Sequence, residues 1–286
     1  MSESRDRGRG CLYVVGTPIG NLEDLGERAR RVLGEVDIVA AEDTRTAGRF
    51  LQRIGVKARL VSVFEGNEHV RAQQLVRQLR DGETVAMITE SGTPAISDPG
   101  GVLVAACVAA DVTVVPIPGP AAVTAVLSAS GLDVGRFRFE GFLPRRGGER
   151  RRRIDFWRRD PAAVVVYESP HRLAATLAEL AERLGPRRAV VAREVTKLYE
   201  EFARGTLPEL ASRFGAGPVK GEIVIVIEGA AAEQEALSDD DVERLVDEGL
   251  AAGESPRDIA RNLAELTGRS RRALYTLANH RRDFDH

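Results

Sequence analysis

Residues 84–100 read Thr-Val-Ala-Met-Ile-Thr-Glu-Ser-Gly-Thr-Pro-Ala-Ile-Ser-Asp-Pro-Gly, a short apolar run that stops abruptly in a loop of glycines, prolines and hydroxyl residues. The run, Thr84–Thr89, has the length and boundaries of a strand. Four similar runs share its half of the chain, at Leu12–Val15, Asp37–Ala41, Arg59–Phe64 and Thr113–Ile117. Amphipathic stretches separate them. The one over Glu68–Arg80 places Val70, Leu75, Val76 and Leu79 near one face of a helical period and stops at Asp81-Gly82. Strands spaced by helices imply right-handed crossovers, so residues 11–120 are expected to form an α/β domain on a parallel sheet.

Working outward, Pro116, Pro118 and Pro120 stiffen the exit from the fifth strand, and a linker helix is expected within 121–136. A second α/β domain over 137–229 carries strands at Phe137–Phe142, Ala163–Tyr167, Ala189–Ala192, Glu200–Gly205 and Glu222–Glu228. The short gap between its third and fourth strands implies at least one antiparallel pairing. After Gly229 comes a polar linker, then a tail over 238–286 that opens on Ser238-Asp-Asp-Asp241 and continues as two basic amphipathic segments around Gly268, a pattern like a helix-turn-helix. The whole is α/β: two α/β domains and a small helical C-terminal unit.

The chain has 286 residues, 43% hydrophobic and 29% charged, with net charge −2, which is globular composition. Two cysteines, Cys11 and Cys107, make no disulfide framework, and the N-terminal ten residues are polar, so a cytoplasmic location is expected. The longest apolar run, Gly101–Ala110, is about half of the ~20 residues a membrane span needs. Of 41 basic residues only Lys57, Lys197 and Lys220 are lysine, so arginine abundance carries little meaning and its distribution must decide.

In open parallel sheets ligands bind beyond the carboxyl ends of the strands. Four of the five strand ends in the first half carry unusual loops: Gly16–Asn21, Glu42–Arg45, Glu90–Gly100 and Pro118–Pro120. Any one of them is ordinary turn chemistry, but together they form a rim able to present backbone N–H and C=O groups to a small molecule. No loop has the spacing of a phosphate-binding or dinucleotide fingerprint, so ATPase and dehydrogenase activities are poor readings. The second half adds Tyr167–Arg172, Ala192–Lys197 and Lys220–Glu222. Arg193, Glu194 and Glu222 read equally as an ion-pair set or as part of a substrate site. His171 lacks partners at ligand spacing and reads as part of a helix start, so no metal is expected. Arginines 145, 146, 150, 151, 152, 153, 158 and 159 crowd one short stretch around Trp157, which suits phosphate contact and base stacking, or else a solvated helix with Phe156 or Trp157 turned inward.

Thr17–Leu22 (TPIGNL), Ala40–Arg45 (AAEDTR), Gly92–Gly100 (GTPAISDPG), Tyr167–Arg172 (YESPHR) and Ala192–Lys197 (AREVTK) occur in one order over residues 11–282. Together they closely resemble the ribosomal RNA small subunit methyltransferase I family of the tetrapyrrole methylase superfamily. The resemblance implies an S-adenosylmethionine-dependent enzyme that methylates the ribose 2′-oxygen of a decoding-centre cytidine of 16S rRNA in the small ribosomal subunit. It also implies a cofactor cleft between the two domains and a homodimer. On it, Thr17, Pro18, Gly20, Glu90, Ser91, Gly92, Thr93, Pro94, Ser97, Pro118, Gly119, Pro120 and Tyr167 are expected at the cofactor. Glu42, Asp43, Glu194 and Lys197 are the candidates for acting on the hydroxyl, and Arg45, Arg145, Arg146, Arg150, Arg151, Arg152, Arg153 and Arg172 for holding RNA. One departure stands out: members often carry Asp-Ala where this chain has Glu90-Ser91. Methyl transfer from a sulfonium is an in-line displacement in which positioning dominates. Two rival readings are a tetrapyrrole carbon methyltransferase, which would have no use for the basic stretch or tail, and a non-catalytic RNA-binding module.

Overall fold

The structure is a computed structural model and describes residues 10–231, 239–267 and 269–284. In the first half, β1 (Cys11–Val15), α1 (Glu27–Glu35), β2 (Ile38–Ala41), α2 (Thr44–Arg53), β3 (Arg59–Ser62), α3 (Glu68–Arg80), β4 (Val85–Ile88), α4 (Gly101–Ala109) and β5 (Thr113–Ile117) alternate as expected. The strands form a five-stranded sheet in the order β3-β2-β4-β1-β5, and every pairing in it is parallel. Successive residues of β2 serve opposite faces: Val39 and Ala41 pack with α1 and α2, Ile38 and Ala40 with α3 and α4. A strand covered on both faces has no room for polar alternation, which is why these runs are apolar throughout.

Helix α3 keeps Leu75, Val76 and Leu79 of its expected face against the core but not Val70. Val70 is exposed, while Glu68, Ala72, Leu75 and Leu79 are buried. Glu68 is inside because it accepts from the backbone N–H groups of Gly100 (2.7 Å) and Val102 (3.2 Å), capping α4 from a neighbouring helix. That helix has no cap of its own, since its N-cap residue is Gly100.

The second sheet runs β6-β7-β10-β8-β9, formed by β6 (Phe137–Phe142), β7 (Ala163–Glu168), β8 (Arg188–Arg193), β9 (Glu201–Thr206) and β10 (Ile223–Ile227). Only β6–β7 is parallel; the other three pairings, including the expected β8–β9, are antiparallel. Helix α5 (Ala122–Ser130) follows the proline-rich exit and lays Val123, Val126 and Leu127 on one face of this sheet, against Val165, Val190 and Val224. The other face is covered by α6 (Gly148–Trp157), α7 (Leu173–Leu184) and α8 (Leu207–Gly215).

The chain divides into two compact units, with both sheets in the first and residues from Ala230 onward in the second. The second unit comprises α9 (Asp239–Ala251), α10 (Pro256–Thr267) and α11 (Arg271–Phe284), packed through Val242, Val246, Ile259, Leu263, Leu274 and Ala278. The acidic stretch opens a helix of its own ahead of the two basic ones, and its apolar face joins theirs. Ser238, Gly268 and most of the linker lie outside the described residues. Among the described residues no helix is long and apolar enough to cross a membrane.

Candidate active site

The loops after β1, β4 and β5 are locked into one rim. Thr17 N–H donates to Gly92 O (2.8 Å) and Gly92 N–H returns to Thr17 O (3.1 Å). The Thr17 hydroxyl reaches the carbonyls of Thr89 and Gly92, both at 3.3 Å. Beyond them Gly16 and Gly119 touch backbone to backbone: a Cβ on Gly119 would lie 2.6 Å from Gly16 O, so only glycine fits. Gly92 has φ +83°, and the non-glycine residues Ala95 and Ser97 are also left-handed, at +67° and +64°. Such conformations cost of order 1–3 kcal/mol each and persist where the surroundings impose them.

Against this rim lies a cavity of about 250 Å³. Its first wall comprises Thr17, Pro18, Gly20, Glu42, Asp43, Glu90 and Ser91 from the loops, with Phe50 and Arg53 from α2. From the second half come Lys197 and Glu222. Lys197 stands on a tight turn between β8 and β9 whose Glu194 and Thr196 are left-handed, at φ +50° and +68°. The turn is closed by Lys197 N–H to Glu194 O (2.9 Å), Glu200 N–H to Lys197 O (3.1 Å) and Thr196 N–H to a Glu200 carboxylate oxygen (2.7 Å). The Lys197 ammonium lies 2.9 Å from Glu194 Oε1 and 3.1 Å from Glu222 Oε2.

The electrostatics of the two walls differ. Burial pushes the Glu42 carboxyl above the usual carboxylate range, and Glu90, Asp98 and Asp43 add to the shift. Burial likewise raises Asp98. Burial works against the charge on Lys197, but its bonds to Glu194 and Glu222 outweigh that and raise its pKa, so it stays an ammonium at neutral pH. Glu194 is held low by the backbone N–H of Glu222 and then by Lys197. Asp43 is lowered chiefly by its hydrogen bonds with Arg45. One of its oxygens caps α2 through Arg45 N–H (2.7 Å) and Thr46 N–H (3.3 Å) and the other pairs with the exposed Arg45 guanidinium (3.2 Å). Of the two carboxylates expected from this loop, Glu42 is therefore the one with uncommitted oxygens in the cavity.

The cavity thus gathers Thr17, Pro18, Gly20, Glu90 and Ser91 with Glu42, Asp43 and Lys197, and Glu194 stands behind Lys197. Gly92, Thr93, Pro94, Ser97, Pro118, Gly119, Pro120 and Tyr167 do not line it. Ser97 stands instead where the two halves touch: a Cβ on Gly141 would lie 3.1 Å from its Oγ. Tyr167 packs edge-on against Phe139 and Phe142, with ring centres 5.0 and 5.6 Å away. Burial raises the Tyr167 phenol, with Asp98 and Glu222 contributing. Phe50 and Arg53 carried no sequence signal of their own as cavity residues; Glu222, open to either reading from sequence, both pairs with Lys197 and lines the cavity.

The arginine stretch divides. Arg145, Arg146, Arg151 and Arg152 are exposed. Arg150 is not: it is buried and donates to Glu179 (2.6 Å), Pro144 O (3.1 Å) and Thr176 Oγ1 (3.0 Å), which removes it from any RNA-facing surface. Thr176 passes a 2.6 Å hydrogen bond to the buried Glu168, which also holds Arg172 at 3.1 Å, and Arg172 donates to Leu143 O (2.8 Å). Arg172 is thereby engaged inward as well. Arg153 is tied to Glu149 and Glu140. Trp157 is fully buried, while Phe156 is exposed beneath the Arg138 guanidinium. The inward-turned alternative holds for the tryptophan.

Residues 11–211 match the family model of tetrapyrrole (corrin/porphyrin) methylases. The chain is 42% identical over 271 residues to the ribosomal RNA small subunit methyltransferase I of Synechocystis sp., covering 94% of this chain and 97% of that protein. It is 41% identical over 280 residues to the protein of the same name from Escherichia coli O157:H7, covering 96% and 97%. Among solved structures, the uroporphyrin-III C-methyltransferase of Thermus thermophilus, complexed with S-adenosylhomocysteine, superposes with a TM-score of 0.54 at 23% identity over 77% of this chain and 97% of that one. That likeness is one of fold.

Proposed function

Because the chain belongs to the ribosomal RNA small subunit methyltransferase I family within the tetrapyrrole methylases, we propose that it methylates the ribose 2′-hydroxyl of a decoding-centre cytidine of 16S rRNA, using S-adenosylmethionine. The observation that carries the reading is that Lys197 of one half and Glu42 of the other line a single cavity beside a backbone-built rim.

The residues present fit the cofactor. It is a cation, and the first wall carries Glu42, Asp43 and Glu90, with Asp98 close enough to raise Glu42. When bound, S-adenosylmethionine supplies an electrophilic methyl carbon on a sulfonium. Thr17, Pro18, Glu90 and Ser91 would hold it, supported by the locked Gly16–Gly119 contact. The Lys197 ammonium donates to the ribose 2′-oxygen, fixing its approach and stabilising the negative charge that grows on it. Glu42 accepts the proton that the hydroxyl gives up as its oxygen bonds to the methyl carbon, and the burial that raises its pKa makes it a stronger base than a free carboxylate. Arg145, Arg146, Arg151 and Arg152 supply the phosphate contacts of the RNA.

The test is transfer of labelled methyl to small ribosomal subunits, with tetrapyrroles as the competing acceptors and the product mapped by its resistance to alkaline hydrolysis. Lys197→Met is expected to cut turnover strongly with little change in cofactor affinity. Label on a tetrapyrrole, on a base, or nowhere would overturn the reading, and failure to bind S-adenosylmethionine by calorimetry would leave only an RNA-binding role. The homodimer implied by the resemblance is expected too, and light scattering reads it directly.

A further inference from the structure

Lys197 and its partner are each flanked by a glycine. A Cβ built on Gly20, in the loop after β1, would lie 2.4 Å from Lys197 Cγ, 2.9 Å from Cε and 3.2 Å from Cδ. A Cβ on Gly221, just before β10, would lie 2.5 Å from Glu194 Cγ and 2.6 Å from its Cδ. Carbon atoms do not approach so closely, so each side chain occupies the space that its glycine leaves open. Gly221 has a second reason to be glycine, its φ of +95°. Gly20 has a positive φ too, +158°, but what crowds it is a side chain from the other half of the molecule.

We infer that Gly20 is a positioning residue: its missing side chain forms the slot through which the Lys197 stem reaches the cavity, and so fixes where the ammonium stands. This rests on the proposed role of Lys197. A lysine stem has four rotatable bonds, and holding it in one arrangement costs rotamer freedom that its surroundings must offset. Here the stem is confined by the Gly20 backbone on one side, and the ammonium is confined by Glu194 Oε1 and Glu222 Oε2 at 2.9 and 3.1 Å. A methyl group at position 20 must displace the stem, and a displaced stem cannot keep both bonds. The first loop of one half thereby sets the geometry of a residue carried by the other.

The alternative is that Gly20 is glycine only to let backbone approach a ligand, or for its own turn. The two differ in ways that can be measured on the full chain. With only Lys57, Lys197 and Lys220 present, acylation of each lysine by acetic anhydride can be followed by peptide mass spectrometry. In the parent, Glu194 and Glu222 hold Lys197 protonated and slow to react. In Gly20→Ala those bonds are lost, more free amine is present at a given pH, and Lys197 is expected to acylate several-fold faster while Lys57 and Lys220 do not change. Turnover on small subunits is expected to fall about tenfold to a hundredfold, as a misplacement of roughly 1 Å does.

A thermal double-mutant comparison closes the test. Gly20→Ala is expected to lower the melting temperature by about 2–4 °C more in the parent than in a Lys197→Ala background, where the strain of alanine at φ +158° remains but there is no stem to displace. Should Gly20→Ala fail to fold, recovery of folding in the double variant supports the slot, and failure of both overturns it. An equal thermal shift in the two backgrounds, or unchanged Lys197 acylation, overturns the inference. Faster acylation and coupled melting with unchanged turnover would uphold the slot and sink the catalytic role of Lys197 instead.

Discussion

Replacing Arg150 by alanine separates a structural arginine from its RNA-facing neighbours. The Arg150 side chain is 7% exposed and gives three hydrogen bonds, to Glu179, Pro144 O and Thr176 Oγ1. Breaking a buried pair by removing one partner costs about 3–5 kcal/mol, because the other is left without compensation. Glu179 is 26% exposed and keeps Arg183 at 3.6 Å, so water and a second cation recover part of that loss and the lower end, about 3 kcal/mol, applies. For a chain of this size it corresponds to a fall of about 6–12 °C in melting temperature. Arg151→Ala and Arg152→Ala remove exposed side chains and should stay within about 0.5 kcal/mol of the parent. Calorimetric melting of the three variants, paired with RNA binding across a salt series below their transitions, gives both readouts. Each lost phosphate contact should lower the salt slope by about one for Arg151 and Arg152, and not at all for Arg150. If Arg150→Ala melted with the parent and lost a unit of slope, Arg150 would be a phosphate ligand and the buried network would be misread.

Three further outcomes are expected. Gly119→Ala must part the loops after β1 and β5, since its Cβ would stand 2.6 Å from Gly16 O; overpacking of this kind costs about 1–3 kcal/mol, and calorimetry should show weaker cofactor binding, an unchanged affinity removing this contact from the site's support. For Glu42 the folded pKa lies above the unfolded one, so the native state holds its proton more tightly and stability falls as pH rises through that interval. Glu42→Gln should therefore melt higher than the parent at neutral pH, the advantage vanishing below the usual carboxylate range, and it should erase the acid limb of the turnover profile that a base of raised pKa produces; a limb that survives would dismiss Glu42 as the base. Glu68→Ala leaves one buried and one part-buried N–H group of the α4 start without an acceptor and should cost roughly 1–3 kcal/mol in a urea melt, whereas a neutral result would mean the cap is dispensable.

Much of the architecture was legible because it rests on local pattern. A parallel sheet buried on both faces writes itself as branched runs such as Ile38–Ala41, and the loops after them are punctuated by residues whose turn chemistry is plain. The Glu68–Arg80 helix has its expected ends, yet its buried face was only partly readable. Periodicity counts apolar residues, and the burial of Glu68 is compensated by donors more than thirty residues away. The same limit hid Arg150 among eight arginines, since Thr176 and Glu179, which draw it inward, belong to a helix that follows a whole strand later. Asp43 was more accessible than its reading suggests: an Asp directly before a helix is an N-cap signal. Nothing local marks Phe50 or Arg53 as cavity residues, because how α2 lies against the rim decides that.

The carboxylate of Glu68 has a consequence for ligand choice. The start of a helix behind a glycine-rich loop ordinarily attracts anions, since free N–H groups and the helix dipole both point outward. Here that position is filled from within by an acid of the same chain, which acts as a resident competitor against any phosphate. A mononucleotide or dinucleotide approaching the loop after β4 would have to expel a buried side chain and meet Glu42, Glu90 and Asp98 as well. The fold has kept the αβ crossover geometry that elsewhere grips pyrophosphate and inverted its sign preference, so the same rim rejects the commonest cellular anions and leaves itself open to a positively charged guest.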